Sequence, residues 1–168
     1  MLASTTSWKK WPGRDANSSF WRKPMALEID RERLNRYLLR MEENLEDIKA
    51  ILASPDEEIL SSSRDMKALK YCLIEMAEAM ANTLQHLLAR RWGKVVDSYL
   101  GLIDEAMKRE VMDRDLLARL KFFFRFRNLL VHRYWEIEDR TLLLHTRKGV
   151  QDFQEFMRET QDWIKGLK

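Results

Sequence analysis

The segment from Arg125 to Trp135, RFRNLLVHRYW, places cationic and titratable side chains among apolar and aromatic ones. Arg127 is followed after four residues by His132, and after one more residue by Tyr134. An arginine can hold a phosphate through two parallel hydrogen bonds, and a histidine can accept or donate a proton near neutral pH. These residue types are suited to binding or cleaving a phosphodiester.

The segment ends a predicted helix whose polar side chains need partners. On a helical wheel, residues 116–134 form three stripes, of which two are apolar except for Arg127. The third stripe is polar throughout and consists of Lys121, Arg125, Asn128 and His132. A helix with two apolar stripes should be largely buried. Between Leu116 and Trp135 there are five Lys or Arg and no acid, so a carboxylate from another helix or an external anion must compensate them.

Apolar spacing and capping residues predict the elements that position this segment. Asp30 is an expected N-cap, Pro55 and Gly93 are expected stops, and Asp113 can cap the helix that carries the motif. The helices predicted from these signals span about residues 30–54, 64–93, 99–107, 113–131 and 139–167. The sequence therefore predicts an all-α bundle of four to five mostly antiparallel helices joined by short connections.

Length and charge suggest one helical domain with a basic extension. A chain of 168 residues is expected to form one compact body. Residues 1–24 contain five Lys or Arg and one Asp, and have no usable apolar period. We expect a poorly ordered basic N-terminal extension at 1–24, which could touch RNA or an anionic surface, and a single domain at 25–168. The net charge of +3 comes from this extension.

Other composition features exclude several protein classes. Cys72 is the single cysteine, so no intramolecular disulfide can form and no zinc-ligand spacing occurs. No apolar run reaches the roughly 18 residues of a membrane span, and no secretory signal is evident. A cytoplasmic protein without membrane partners is expected.

The spacing of Arg127, His132 and Tyr134 resembles the R-x4-H-x-Y motif of the HEPN superfamily, and specifically of the HepT-like toxins. The resemblance covers roughly residues 28–165. It includes a helix with Glu75, an aromatic-rich helix that runs into R-N-x-x-x-H-x-Y, and a closing amphipathic helix. One departure is Ala79, which stands where the family often has an acid, whereas Glu78 is one position away.

The resemblance implies a HEPN-like homodimer that pairs through the motif helix and forms a metal-independent ribonuclease site without a cofactor. Arg127 and His132 would be catalytic, with tRNA as the expected substrate class. Substrate would be positioned by Asn128, Arg125, Lys121 and Arg133, and Glu75 is a possible supporting acid. A minimal nucleotidyltransferase antitoxin would silence the toxin by adding AMP to Tyr134.

The positions of Arg127 and His132 on the predicted helix are consistent with a site that forms between two copies of the chain. Arg127 and His132 are five residues apart, about 140° around a helix, so they do not converge on one atom. A two-fold axis would bring a second arginine and a second histidine to the same cleft. One neutral histidine could then act as the base and one protonated histidine as the acid in RNA cleavage.

Two other interpretations remain open from the residues. A non-catalytic helical dimer could use the same basic cleft to bind a nucleotide or a partner protein. Alternatively, the cations could be purely structural and neutralised by Glu75, Glu78 or Glu136. A lone histidine at a helix C-terminus is commonly a partner of the helix dipole. His86 and His145 lack such neighbours and are expected to be structural.

Overall fold

The computed structural model describes residues 27–168, and the extension expected at 1–24 lies outside the described residues. Within this range the chain is all-α, as predicted. The helices are α1 Arg31–Leu52, α2 Asp56–Ser61, α3 Ser63–Trp92, α4 Tyr99–Lys108, α5 Arg114–His132 and α6 Asp139–Lys165. A 3-10 turn, Tyr134–Glu136, separates α5 from α6.

The long helices begin and end where their capping residues indicate. The Asp30 carboxylate accepts a hydrogen bond from the Arg33 amide at 2.9 Å, and the Asp113 carboxylate accepts one from the Leu116 amide at 2.9 Å. Gly93 ends α3 with a φ of 63°, a conformation that glycine adopts without strain. The short helix α2 was not predicted, because six residues are too few to show a helical period.

Helix α3 is the centre of the bundle. Its 30 residues pack against all five other helices. Small side chains such as Ala77, Ala79 and Ala81 are buried along it and allow this close approach. The side chains that α3 directs toward α4 and α5 can therefore meet residues that are distant in sequence.

Two of the three histidines pack as the sequence led us to expect. His86 is buried, and its Nε2 accepts a hydrogen bond from the Asp30 amide at 3.1 Å, which ties the start of α1 to α3. Burial, followed by the charges of Arg90 and Arg33, lowers the pKa of His86 below its usual value and keeps the ring neutral. The ring of His145 lies 5.0 Å from that of Phe122.

No helix in residues 27–168 is long and apolar enough to cross a bilayer.

Helix α5 is less buried than its two apolar stripes predicted. The stripe with Leu116, Leu120 and Leu130 faces the core, but Phe122 is 53% exposed and Leu129 is 39% exposed. The expectation for the second stripe was wrong for these two residues, whereas Phe126 in the same stripe is buried and its ring lies 6.1 Å from that of His145 on α6. Four exposed residues spaced 3, 4 and 3 apart lie along what we call the open face of α5: Phe122, Arg125, Leu129 and His132.

Candidate functional site

The motif residues lie at the C-terminal end of α5. Arg127 and Asn128 are half-buried, and His132 is the last residue of the helix and is exposed. Tyr134 begins the 3-10 turn and is 60% exposed. The sequence motif therefore corresponds to one enclosed arginine followed by two side chains open to solvent.

The Arg127 side chain is held by several contacts and is only 13% exposed. Its Nη2 donates to Oε1 of Glu78, and its Nη1 donates to Oδ1 of Asn128 at 3.4 Å. Its Cζ lies 4.4 Å from the centroid of the Tyr99 ring, which is a cation–π geometry. Nε is buried without a hydrogen-bond partner in the described part of the chain. Because the Glu78 side chain is 44% exposed, the ion pair borders solvent.

Tyr99 takes part in the same cluster, although sequence reasoning assigned it only to an apolar helix pattern. Its hydroxyl donates to the Glu78 Oε1 that also accepts from Arg127. Burial and this hydrogen bond raise the pKa of Tyr99 to about 12, so the hydroxyl remains a donor at neutral pH. The sequence separation of 28 residues from Arg127 leaves no local signal that could have linked the two.

The acid at Arg127 is Glu78 and not Glu75, which had been the suggested supporting acid. Glu75 accepts hydrogen bonds from Arg40 at 3.3 Å and from the Tyr71 hydroxyl at 3.0 Å. Residues three apart differ by about 60° around a helix and about 4.5 Å along it, so the two carboxylates share one side of α3 and contact different partners. Ala79 is buried, and the carboxylate one residue before it reaches the motif arginine.

Most cations of α5 have carboxylate partners from other elements. Lys121 pairs with Asp104 at 2.6 Å, and Arg119 pairs with Asp152 at 2.8 Å. Beyond the helix, Arg133 pairs with Glu136 at 2.7 Å. These pairs are partly exposed, and each contributes little to stability. Arg125 is exposed and forms no ion pair within residues 27–168, so it is the cation of the open face that is available to an anion.

His132 has none of the enclosure seen at Arg127. Its side chain makes no hydrogen bond or ion pair within the described residues, and Asn128 bonds to Arg127 instead. His132 lies about 7.5 Å along α5 from Arg127 and about 140° around it. A single chain therefore presents a held guanidinium and a free imidazole that point in different directions.

Exposed apolar side chains surround the free histidine. Leu129 and Val131 are partly exposed on α5, and the adjacent rings of Tyr134 and Trp135 are well exposed, with centroids 5.3 Å apart. Exposed apolar groups concentrated beside a polar site are typical of an interaction surface. Across residues 27–168, no three His, Cys, Asp or Glu side chains converge into a cluster that could hold a metal ion.

Comparison with known proteins connects this geometry to a family. The family model described as "Ribonuclease HepT-like" matches residues 41–160. A tri-AMPylated HEPN toxin of Shewanella oneidensis, solved in complex with an MNT antitoxin, superimposes with a TM-score of 0.72 at 14% identity. That match covers 77% of this chain and 97% of the toxin chain.

A second solved structure, a toxin-antitoxin with AMP-PNP, superimposes with a TM-score of 0.70 at 14% identity and covers 77% of this chain and 98% of that one. At such low identity these likenesses show a shared fold. A search of curated proteins finds no match.

Replacing Arg127 by leucine tests whether the enclosed arginine is mainly structural. We expect Arg127→Leu to change the free energy of unfolding by no more than about 1 kcal/mol, because Glu78 can be resolvated and a buried unpaired Nε is removed. Urea unfolding monitored by circular dichroism measures the free energy of unfolding of the parent and the variant.

The matched control on the same helix is Leu130→Ala, which empties a buried apolar position and should cost about 2–5 kcal/mol. If Arg127→Leu is as destabilising as Leu130→Ala, the arginine is a structural residue and the ion-pair interpretation is favoured.

Proposed function

The chain belongs to the HepT-like ribonuclease family, and from this premise we propose that it is the endoribonuclease toxin of a toxin-antitoxin pair. The proposed substrate is RNA, with tRNA as the class, and cleavage proceeds in the cytoplasm without a metal ion. The observation that carries the proposal is the contrast at the end of α5. Arg127 is fixed in place, whereas His132 and Tyr134 are exposed and unpaired among residues 27–168.

The active unit in this proposal is a homodimer that pairs through α5, with a contact that extends from the open face around the C-terminal end of the helix to the solvent-bordering side of the Arg127–Glu78 pair. The exposed Phe122 and Leu129 supply apolar area for an isologous contact. Arg125 and His132 on the same face would line the cleft between the copies. Light scattering of the purified chain should give a mass near twice 20.2 kDa, and a monomer at micromolar concentration would contradict this step.

Each motif residue has a defined role in cleavage by the RNA's own 2′-hydroxyl. A neutral His132 takes the 2′ proton, and the 2′ oxygen attacks phosphorus to form a cyclic phosphodiester. The protonated His132 of the second copy gives its proton to the departing 5′ oxygen. Arg127 stabilises the charge that builds on the phosphorane oxygens. Two histidines are needed, and one chain supplies one in the motif.

The contacts of Arg127 leave donors for a phosphate. Nη2 uses one N–H for Glu78, and Nη1 uses one for Asn128. Since each terminal nitrogen carries two hydrogens, one N–H remains on each. A bidentate contact with phosphate requires two donors from one guanidinium. The same Glu78 contact favours the alternative function, a non-catalytic dimer that binds a nucleotide or a protein partner, because a carboxylate beside Arg127 opposes the negative charge that builds in the transition state.

The proposed partner is a minimal nucleotidyltransferase antitoxin that transfers AMP to Tyr134. A toxin of the same fold is tri-AMPylated in its complex with an MNT antitoxin. Tyr134 is exposed and lies two residues from His132, and its hydroxyl has no partner in the described part of the chain. An AMP group there would place a fixed anion beside the cations that bind RNA, and would block the cleft.

Cleavage of total tRNA in EDTA is expected for the purified protein. His132→Ala should lower kcat/KM by about 10²-fold or more, because it removes both the base and the acid of the dimer. Arg127→Ala should lower it by about 10²–10³-fold. The matched control is His145→Ala, on α6 outside the motif, which should cleave within a few-fold of the parent.

The outcomes separate the competing functions. Cleavage that survives in both motif variants would end the site assignment. RNA binding without cleavage by any form would favour the binding dimer, and cleavage that requires added divalent metal would overturn the metal-independent mechanism.

Modification by the antitoxin is expected at one tyrosine. Incubation with ATP and the cognate nucleotidyltransferase should transfer AMP to the parent protein, release pyrophosphate and abolish cleavage. Tyr134→Phe should escape the modification and resist silencing. Tyr71→Phe is the matched control, since Tyr71 is equally exposed on α3 but remote in sequence from the motif. Peptide mass spectrometry locates the adduct, and AMP on Tyr71 or elsewhere would refute the assignment.

A further inference from the structure

The cluster around Arg127 contains one side chain that the proposed mechanism does not use, the Tyr99 phenol of α4. Its ring lies beneath the guanidinium, with Cζ 4.4 Å from the ring centroid, and its hydroxyl donates to Glu78. Since Glu78 also accepts from Arg127, the three side chains form a closed set of contacts in which each touches the other two. Such a set restrains a guanidinium more than an ion pair alone.

The Tyr99 ring is itself firmly placed. It stacks on the Phe124 ring, with centroids 5.7 Å apart and an interplanar angle of 25°. Phe124 is buried and stands three residues before Arg127 on α5. Residues three apart share a helix face, so one ring from α4 contacts both the core of α5 and its motif arginine.

The backbone that carries Tyr99 is fastened to α3 just before the ring. The Gln85 side chain accepts from the Val96 amide at 3.3 Å and donates to the Lys94 carbonyl at 3.4 Å. Ser98 caps α4 by accepting from the Gly101 amide at 3.1 Å. A Cβ on Gly101 would come within 2.7 Å of Val96 Cγ1, so the loop can approach α4 this closely only because residue 101 is a glycine.

We propose that Tyr99 is a positioning residue of the ribonuclease site, which holds the Arg127 guanidinium in the orientation that receives the scissile phosphate. This inference rests on the proposed function. A free arginine side chain would lose rotamer entropy when it binds phosphate. The Tyr99 ring and the shared Glu78 carboxylate restrict the rotamers of Arg127 before phosphate binds. Phosphate binding and transition-state stabilisation therefore require less reorganisation.

Two substitutions separate the contributions of the ring and the hydroxyl. Tyr99→Phe keeps the ring under Arg127 and removes the hydrogen bond to Glu78, so kcat should fall several-fold. Tyr99→Leu removes both and should lower kcat by about 10–10²-fold, the range expected when a positioned group is misplaced. Partial retention of kcat by the phenylalanine variant distinguishes positioning by the ring from a general loss of packing.

The matched packing control is Phe123→Leu. Phe123 is half-buried on α5 and packs against Phe124 and Phe153, with ring centroids 5.8 and 4.8 Å away, and neither of these ring contacts is to Tyr99, Glu78 or Arg127. It should lower the melting temperature about as much as Tyr99→Leu but leave kcat within two-fold. If the two variants lose kcat equally, Tyr99 has only a structural role.

A second measurement does not depend on ribonuclease activity. Phenylglyoxal modifies guanidinium groups, and peptide mass spectrometry gives the rate at each arginine, with the exposed Arg125 as internal reference. Arg127 should react slowly in the parent and in Phe123→Leu, and several-fold faster in Tyr99→Leu. An unchanged Arg127 rate in Tyr99→Leu overturns the positioning role whatever the cleavage data show. A faster rate in a protein that never cleaves RNA would instead reject the ribonuclease proposal and leave the restraint of Arg127 by Tyr99 established.

Discussion

The constraint on which the rest of the site depends is the enclosure of one guanidinium between three helices. A charged side chain that is only 13% exposed must be neutralised and hydrogen-bonded. Helix α3 supplies the Glu78 carboxylate, α4 supplies the Tyr99 ring, and α5 carries Arg127 itself. Because α3 packs against every other helix of the described chain, the position of this carboxylate is fixed by the whole bundle. The arginine is therefore oriented by the fold rather than by its own helix.

The second constraint is the angle between Arg127 and His132 around the axis of α5. A residue five positions along a helix points about 140° away, so a fixed Arg127 and His132 of one chain do not converge on one atom. The structure leaves His132 on the open face beside exposed apolar side chains. In the proposed dimer a second copy would cover that face together with the C-terminal end of α5, and Tyr134 lies close enough in sequence for a modification there to interfere with the same cleft. Catalysis, assembly and silencing would then depend on one end of α5.

Much of the fold could be predicted from the sequence because its signals are local. Asp30, Asp113 and Gly93 mark helix ends through capping, and the apolar period identified each long helix. The exposure of Phe122 and Leu129 on α5 could not be predicted, because apolar residues in a helical period look the same in the sequence whether they are buried or exposed. Glu75 and Glu78 differ by three residues, and only the packing of α3 against α5 decides which reaches Arg127. The contact of Tyr99 with Arg127 could not be predicted from the sequence, since the two residues meet only where α4 packs on α5.

The central claim is that two copies share one catalytic cleft, and a mixed dimer tests it most directly. A wild-type chain and a chain with both Arg127→Ala and His132→Ala, each with its own affinity tag, are co-expressed and the heterodimer is isolated through both tags. A shared cleft then lacks one arginine and one histidine, so the account predicts activity far below half that of the wild-type dimer. Activity equal to half would show that each chain carries a complete site, and would contradict the account.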